Sequence, residues 1–73
     1  MTGFYRQKQK KGLYHFYLND NLIVQATRYP GESRWEVEYL HPFTGILSGV
    51  DFAFTLTEAG DFAQTWAKKF SNR

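Results

Sequence analysis

Residues that could carry out catalysis are few in this sequence. Each of the two histidines, His15 and His41, would need a serine, threonine or carboxylate nearby to activate a nucleophile. The serines at positions 33, 48 and 71 lack the Gly-x-Ser-x-Gly surroundings of a nucleophile elbow. Without cysteine, two histidines 26 residues apart make a poor metal site, and no Gly-Lys-Ser/Thr sequence indicates a phosphate-binding loop. We therefore predict a non-enzymatic protein that binds no metal, cofactor or small-molecule substrate.

Positive charge clusters at the N-terminus. The segment 1–12 has no acidic residue, and its four cations are Arg6, Lys8, Lys10 and Lys11. Residues 13–67, in contrast, hold two arginines against all seven carboxylates of the chain. We interpret residues 1–12 as a basic N-terminal arm, or as a polar edge, ahead of a single α+β domain over residues 13–73.

Such an arm suggests nucleic-acid binding as an alternative function. Its cations could neutralise phosphates, and a neighbouring ring such as Tyr5 could stack on a base. The residues predicted to bind in this alternative are Arg6, Lys8, Lys10, Lys11 and Tyr5. Glu36 and Glu38 count against it, because carboxylates in the middle of a sheet would repel phosphates. The acidic body could also act as a decoy for an enzyme that binds nucleic acid.

The elements that must position these residues follow from the apolar pattern. Alternation and β-forming residues predict strands over residues 13–18, 22–29, 34–40 and 46–54, with turn residues between them. Thr55 and Glu58 then fit the capping box of a helix. Its apolar face would consist of Leu56, Ala59, Phe62, Ala63, Trp66 and Phe70. The pattern predicts an α+β fold in which an antiparallel meander of three or four strands packs on one C-terminal helix.

Parity along the strands predicts which residues the helix covers. A three-residue loop at 19–21 would place Leu18 opposite Leu22, and a turn at Pro30-Gly31 or Gly31-Glu32 would place Ala26 opposite Val37. Pairing of Tyr39 with Ile46 would continue this face onto the fourth strand. The core would then include Trp35, Phe52, Phe54, Phe62, Trp66 and Phe70, and Arg28 would stack over Trp35 at the end of the sheet.

The face of the sheet turned away from the helix, here called the outer face, points to function. One helix can cover only one side of a sheet, so apolar side chains on the outer face would meet water. Large aromatic and aliphatic side chains exposed together often mark an interface. The residues predicted to form this protein-binding surface are Leu13, His15, Tyr17, Ile23 and Tyr29. We expect a small interaction or regulatory module that binds a protein partner or a second copy of itself, unless the N-terminal segment folds over this face.

Composition excludes several other classes. A chain of 73 residues with 42% hydrophobic and 19% aromatic residues is expected to form one small hydrophobic core and not to be disordered. It has no apolar run of about 18 residues and no signal-like N-terminus, so neither membrane association nor secretion is expected. The absence of cysteine fits a cytoplasmic protein. Short chains of this kind are common among accessory proteins of phages and bacteria, and nothing in the residues identifies the source.

Overall fold

Five antiparallel strands and one C-terminal helix make up the fold. A computed structural model of the protein describes residues 3–71, with the backbone alone at Ser71. The elements are β1 (Phe4–Lys10), β2 (Leu13–Leu18), β3 (Asn21–Thr27), β4 (Trp35–Leu40), β5 (Leu47–Ala53) and α1 (Leu56–Ser71). The strands form one sheet in chain order, and α1 packs on the face opposite the outer face, here called the inner face. The predicted α+β meander is confirmed, with five strands in place of three or four.

The additional strand comes from the basic segment at the N-terminus. Phe4–Lys10 pairs with β2, from Phe4 opposite Leu18 to Lys10 opposite Leu13. Six of its seven residues are exposed, so no apolar alternation marks it in the sequence. The interpretation as a polar edge therefore describes residues 4–10 better than a free arm does. The first two residues of the predicted arm and the last two of the predicted domain lie outside the described residues.

The turn between β1 and β2 depends on glycine at position 12. Gly12 has a φ of +81°, and its carbonyl accepts a 2.8 Å hydrogen bond from the N–H of Arg28. A Cβ atom at this position would lie 2.7 Å from the Arg28 carbonyl oxygen. Only glycine allows this close approach, which joins the β1–β2 turn to the end of β3.

The β2–β3 hairpin differs from the predicted three-residue loop. Asn19 and Asp20 have φ values of 52° and 70°, as a two-residue type I′ turn requires, and Leu18 pairs with Asn21. A bulge then inserts Ile23 between the pairs Tyr17–Leu22 and Phe16–Val24. From Val24 onward, the bulge restores the predicted assignment of side chains to the two faces. It reverses the assignments predicted for Leu22 and Ile23. Leu22 shares the outer face with Tyr17, whereas Ile23 is fully buried.

The β3–β4 connection agrees with the prediction. The N–H of Glu32 donates to the Tyr29 carbonyl over 3.0 Å, and Gly31 has a φ of +84°, which together describe a type II turn at Pro30-Gly31. Ala26 pairs with Val37 as expected. The inner face of β3 therefore continues onto β4 at the predicted register.

The helix begins where the capping box placed it. The N–H of Glu58 donates to Thr55 Oγ1 over 3.0 Å, and the Glu58 carboxylate accepts a 2.8 Å hydrogen bond from the N–H of Phe54, one residue before the N-cap. Small residues of the helix meet the sheet directly, since Ala59 and Ala63 of the predicted apolar face are buried, as is Ala67, which the prediction did not include. Larger side chains pack around them, namely Leu56, Phe62, Trp66 and Phe70.

The side chains of β5 lie on the opposite faces of the sheet to those predicted. Tyr39 pairs with Gly49 and not with Ile46, because Ser48 forms a bulge between the pairs Tyr39–Gly49 and Leu40–Leu47. The inner face of β5 consequently carries Gly49, Asp51 and Ala53, which pair with inner-face residues of β4. The predicted core residues Phe52 and Phe54 are 49% and 76% exposed. The apolar side chains of β5 thus lie on the outer face.

The predicted stacking of Arg28 over Trp35 is confirmed and extends further along the inner face. The guanidinium of Arg28 lies 5.7 Å from the ring centroid of Trp35, and that ring meets Tyr14 edge-on at 5.7 Å. Arg6 in turn lies 5.3 Å from the centroid of Tyr14. Two arginines therefore border the aromatic end of the core and interact with the ring faces.

Replacement of Trp35 by alanine should nearly unfold the protein. Trp35 is 9% exposed, and its loss removes a large buried ring together with the Arg28 stacking, a cost of about 3–5 kcal/mol. The total stability of a chain of this size is of the same order. Thermal denaturation followed by circular dichroism measures the effect, with Phe54→Ala as the control because Phe54 is mostly exposed. Similar melting temperatures for the two variants would contradict the core assignment.

Removal of the helix cap should cost less. Thr55→Ala deletes the oxygen that accepts the Glu58 N–H, so we expect a loss of about 1 kcal/mol in the free energy of unfolding. Thr57→Ala is the matched control, because Thr57 is exposed in the same turn. Urea denaturation measures both variants, and equal losses would show that the Thr55 side chain does not act as the cap.

Candidate interaction surface

The strand register arranges the outer face in rows that cross the sheet. One row at the end near the β2–β3 turn is apolar or aromatic on every strand. Tyr5 pairs with Tyr17, Tyr17 with Leu22, and Leu40 with Leu47, whereas the β3–β4 register ends at the pair Val24–Tyr39. The apolar row therefore consists of two paired segments on neighbouring strands: Tyr5, Tyr17 and Leu22, and then Leu40 and Leu47. Among residues 3–71, no other helix or strand lies over this face, because α1 packs on the inner face and β1 joins the sheet at its edge.

The middle row of the outer face is polar. His15 pairs with both Gln7 and Gln25, and Gln25 pairs with Glu38, which pairs with Val50. The carboxylate of Glu38 is thus near the centre of the sheet, with Glu36 one row away on the same strand. This arrangement leaves the apolar row at one end of the face, bordered by polar groups.

The predicted protein-binding residues do not all reach this face. Leu13, His15 and Tyr17 lie on it and are half-buried between their neighbours. Tyr29 follows β3 in the β3–β4 connection and is 55% exposed. Ile23 does not belong to the surface, because the bulge directs it into the core, where it is fully buried.

The two tyrosines of the apolar row are held in place by their neighbours. The rings of Tyr5 and Tyr17 stack with centroids 5.0 Å apart, and the Tyr5 hydroxyl donates a 2.9 Å hydrogen bond to Asp20. This hydrogen bond to the carboxylate raises the pKa of Tyr5 above its ordinary value. The Tyr17 hydroxyl lies 3.4 Å from Nδ1 of His15. A pre-ordered pair of rings of this kind can contact a partner without a large loss of side-chain entropy.

A second apolar surface surrounds β5 and was not anticipated from the sequence. It consists of six exposed side chains, which we call the β5 patch, from the β4–β5 turn to the start of α1: Phe43, Ile46, Leu47, Val50, Phe52 and Phe54. Arg34 lies over the ring of Phe52, with its guanidinium 4.1 Å from the ring centroid. The alternating apolar pattern of this strand does not show whether its apolar side chains lie on the inner or the outer face. The bulge at Ser48 places them on the outer face.

The basic residues of the N-terminal segment are spread along the opposite edge of the sheet. Arg6, Lys8, Lys10 and Lys11 are all exposed, and Gln9 forms a bulge within this strand. Arg6 and Lys8 share the face of Phe4, which stacks on Phe16, so they lie on the inner side of the sheet beyond the helix. The structure therefore does not direct all the cations and the Tyr5 ring to one side.

Shallow grooves surround the β3–β4 connection. The first has a volume of about 420 Å³ and is lined by Lys11, Gly12, Arg28, Tyr29, Pro30, Gly31 and Glu32. A neighbouring groove of about 370 Å³ extends from Tyr29 to Phe52. The Glu36 carboxylate raises the pKa of Tyr29 in this region by electrostatic repulsion of the phenolate. Charges of both signs line these grooves, which gives them no clear preference for one kind of ligand.

Another groove lies between α1 and β5. It has a volume of about 470 Å³, and its lining residues are Tyr39, Asp51, Phe62, Thr65, Trp66 and Lys69. Burial, followed by a 3.0 Å hydrogen bond to Asp51, raises the pKa of Tyr39 far above its ordinary value. The Lys69 ammonium lies 5.4 Å from the Trp66 ring centroid. Two of the polar groups of the groove, the Tyr39 hydroxyl and the Asp51 carboxylate, are thus paired with each other.

His41 has a structural role in the β4–β5 turn. Its Nδ1 accepts hydrogen bonds from the N–H groups of Phe43 and Thr44 over 3.2 and 3.3 Å, and its ring contacts Phe70. No group of three potential metal ligands occurs within residues 3–71. The 16-residue helix α1, the one helix in that range, lacks the length and apolar character needed to cross a bilayer.

Comparisons with protein-family models, with curated proteins and with solved structures find no match for this chain. The apolar row and the β5 patch therefore carry the functional argument without support from a relative.

Proposed function

We propose that the protein is a small non-catalytic module that binds another protein chain through the outer face of its sheet. The observation that carries this proposal is the apolar row, whose two segments place an apolar or aromatic side chain on each strand of the sheet, with no other described helix or strand over them. Burial of this row would remove aromatic and aliphatic surface from water, with a gain of roughly 25 cal/mol per Å² of apolar area. A cytoplasmic, regulatory role remains the expectation from the sequence.

The distribution of polar groups supports a protein as the partner. Interfaces between proteins usually combine a buried apolar or aromatic centre with a polar rim. The row of Gln7, His15, Gln25 and Glu38 supplies such a rim beside Tyr17. The Glu38 carboxylate in this row would oppose a phosphate backbone but can pair with the amides and cations of a protein.

A photoreactive benzoylphenylalanine at position 17 tests the proposal. We expect ultraviolet irradiation to give protein adducts from position 17, both in concentrated purified protein and in an extract of the cells that express the chain. Adduct yields should change little between about 50 and 200 mM salt, because apolar contacts are not screened. Gln64, exposed on the helix, is the control position. Equal yields from both positions, or adducts from position 17 that disappear after nuclease treatment, would contradict the proposal.

One observation favours a second candidate, nucleic-acid binding by β1. Its edge presents Arg6, Lys8 and Lys10 to solvent, followed by Lys11, without a carboxylate in the strand itself. Exposed cations along an edge can contact a single-stranded backbone, and Tyr5, on the other face of the strand from Arg6 and Lys8, could stack on a base. Against it, Tyr5 donates its hydroxyl hydrogen to Asp20, and Tyr17 already covers one side of its ring.

Salt dependence tests this second candidate. With about four phosphate contacts, the affinity for a fluorescent single-stranded oligonucleotide should fall roughly 50-fold between 50 and 200 mM salt. Fluorescence anisotropy measures the affinity, and the double variant Lys8→Gln, Lys10→Gln should flatten the salt dependence. The matched control is Lys68→Gln, Lys69→Gln on the helix. Absence of binding at 50 mM salt would eliminate the candidate.

A further inference from the structure

The two edges of the sheet differ strongly in character. The edge strand β1 has the sequence FYRQKQK, and its lysines discourage the approach of another strand. The other edge strand, β5, has the sequence LSGVDFA and a single charged residue, Asp51. Its neighbours on either side, Ile46 and Phe54, are also exposed and apolar. The β5 edge is therefore protected only by the Ser48 bulge and the inner-face Asp51, and it lacks the row of lysines that protects β1.

The hydrogen-bonding pattern shows which backbone groups of β5 are free. The N–H of His41 donates to the Ile46 carbonyl over 2.9 Å, so the odd-numbered residues of β4 bond toward β5. Gly49, Asp51 and Ala53 pair with those odd-numbered residues and use their backbone groups in the sheet. The N–H and C=O groups of Val50 and Phe52 consequently point away from β4, toward solvent.

The exposed area of the β5 patch is close to what one side of a stable interface requires. With about 200 Å² for a residue of this size, the six exposed fractions correspond to roughly 700 Å². The largest apolar patch on a typical monomer is about 300–600 Å². Two such patches expose roughly 1,400 Å² together, which is the upper limit of what their contact can bury and lies within the range of about 1,200–2,000 Å² for specific protein interfaces.

We propose that β5 pairs antiparallel with β5 of a second copy of the chain, so that the two sheets form one continuous sheet of ten strands. This inference rests on the proposed protein-binding function, and it names the partner and the strand that binds it. The two-fold axis passes through Val50, whose free N–H and C=O bond to the same groups of its counterpart. The β5 patches and the apolar rows of the two copies become continuous.

Side-chain charge and size favour this register over one with the axis at Asp51. With the axis at Val50, Asp51 of one copy lies opposite Gly49 of the other, where the missing side chain leaves room for the carboxylate. An axis at Asp51 would place two carboxylates directly opposite each other, which destabilises antiparallel pairs. On the outer face, the Val50 side chains meet each other, and each Phe52 lies beside the Ser48 bulge of the other copy.

The same contrast between edges explains why the assembly closes at two copies. A two-fold pairing uses both β5 edges and leaves both β1 edges outermost. Further addition of strands would have to pair with β1, whose exposed residues include Arg6, Lys8 and Lys10. Repulsion between such strands, and the cost of burying their charges, favours a closed dimer over an open fibre.

Sedimentation equilibrium on the full chain tests the inference. We expect the parent protein to show twice the 8.6 kDa mass of one chain, and Val50→Lys to raise the dissociation constant at least tenfold. Gln7→Lys is the matched control, because Gln7 lies on the outer face of the opposite edge strand. It adds the same charge and should leave the dimer intact. Circular dichroism confirms that both variants are folded.

Amide hydrogen exchange distinguishes edge pairing from other dimers. The Asn19 N–H donates to the Gly3 carbonyl over 2.9 Å, so by the same alternation Lys8 directs its N–H to the free edge of β1. In the dimer, the Val50 amide should be protected in a concentration-dependent way, whereas the Lys8 amide should exchange quickly throughout.

Three results would overturn the inference. They are a monomer at all concentrations, a dimer that persists in Val50→Lys, and a dimer in which the Val50 amide exchanges as fast as that of Lys8. Cross-linking from position 17 decides separately whether the outer face binds protein. Adducts from that position together with any of these three results would leave the proposed function in place and exclude pairing through β5.

Discussion

A single helix has to cover a sheet that is wider than the helix itself. An α-helix measures about 10–12 Å across, whereas five strands at about 4.8 Å spacing extend over roughly 19 Å. Three buried alanines allow the helix to approach the central strands closely, and Phe62, Trp66 and Phe70 widen its contact. The two edge strands still lie at the limit of the area that the helix can cover. Apart from Phe4, which stacks on Phe16, the inner-face positions on the edge strands are accordingly polar or small, with Arg6 and Lys8 on β1 and Gly49 and Asp51 on β5.

Two bulges adjust the side-chain pattern to this constraint. One extra residue in a strand reverses the faces on one side of the bulge, because side chains alternate with a period of two. The bulge at Ile23 offsets the change of register that the two-residue β2–β3 turn causes. It also brings the Ile23 side chain into the core beside Val24. The bulge at Ser48 sends Val50 and Phe52 outward and places Gly49 and Asp51 toward the helix. The outward placement of Leu22, Val50 and Phe52 is therefore a consequence of local strand irregularities.

The functional argument follows from the resulting asymmetry. A core of this kind needs only one face of the sheet, yet the outer face carries an apolar row and the β5 edge carries a further patch. The exposed members, such as Leu47, Phe52 and Phe54, contribute little to the stability of one chain, since water remains in contact with them. Protein binding would recover that lost burial, and it would leave the basic β1 edge free in solution. The charged edge and the apolar edge thus have different physical roles within one sheet.

The elements of the fold were largely determined by the sequence alone. Strict alternation in β4, the Pro30-Gly31 turn and the Thr55–Glu58 cap are local features, and the structure confirms each of them. The outer face itself followed from the same reasoning, although Ile23 was wrongly included and Leu22 wrongly excluded. Only the tertiary structure decided which face the apolar side chains of β5 occupy, because an alternating pattern is compatible with both faces. The outcome depends on the residue that pairs with Tyr39 and on how far across the sheet the helix extends. It also decided that residues 4–10 form a strand, since an exposed edge strand gains its stability from hydrogen bonds with β2 and needs no apolar pattern of its own.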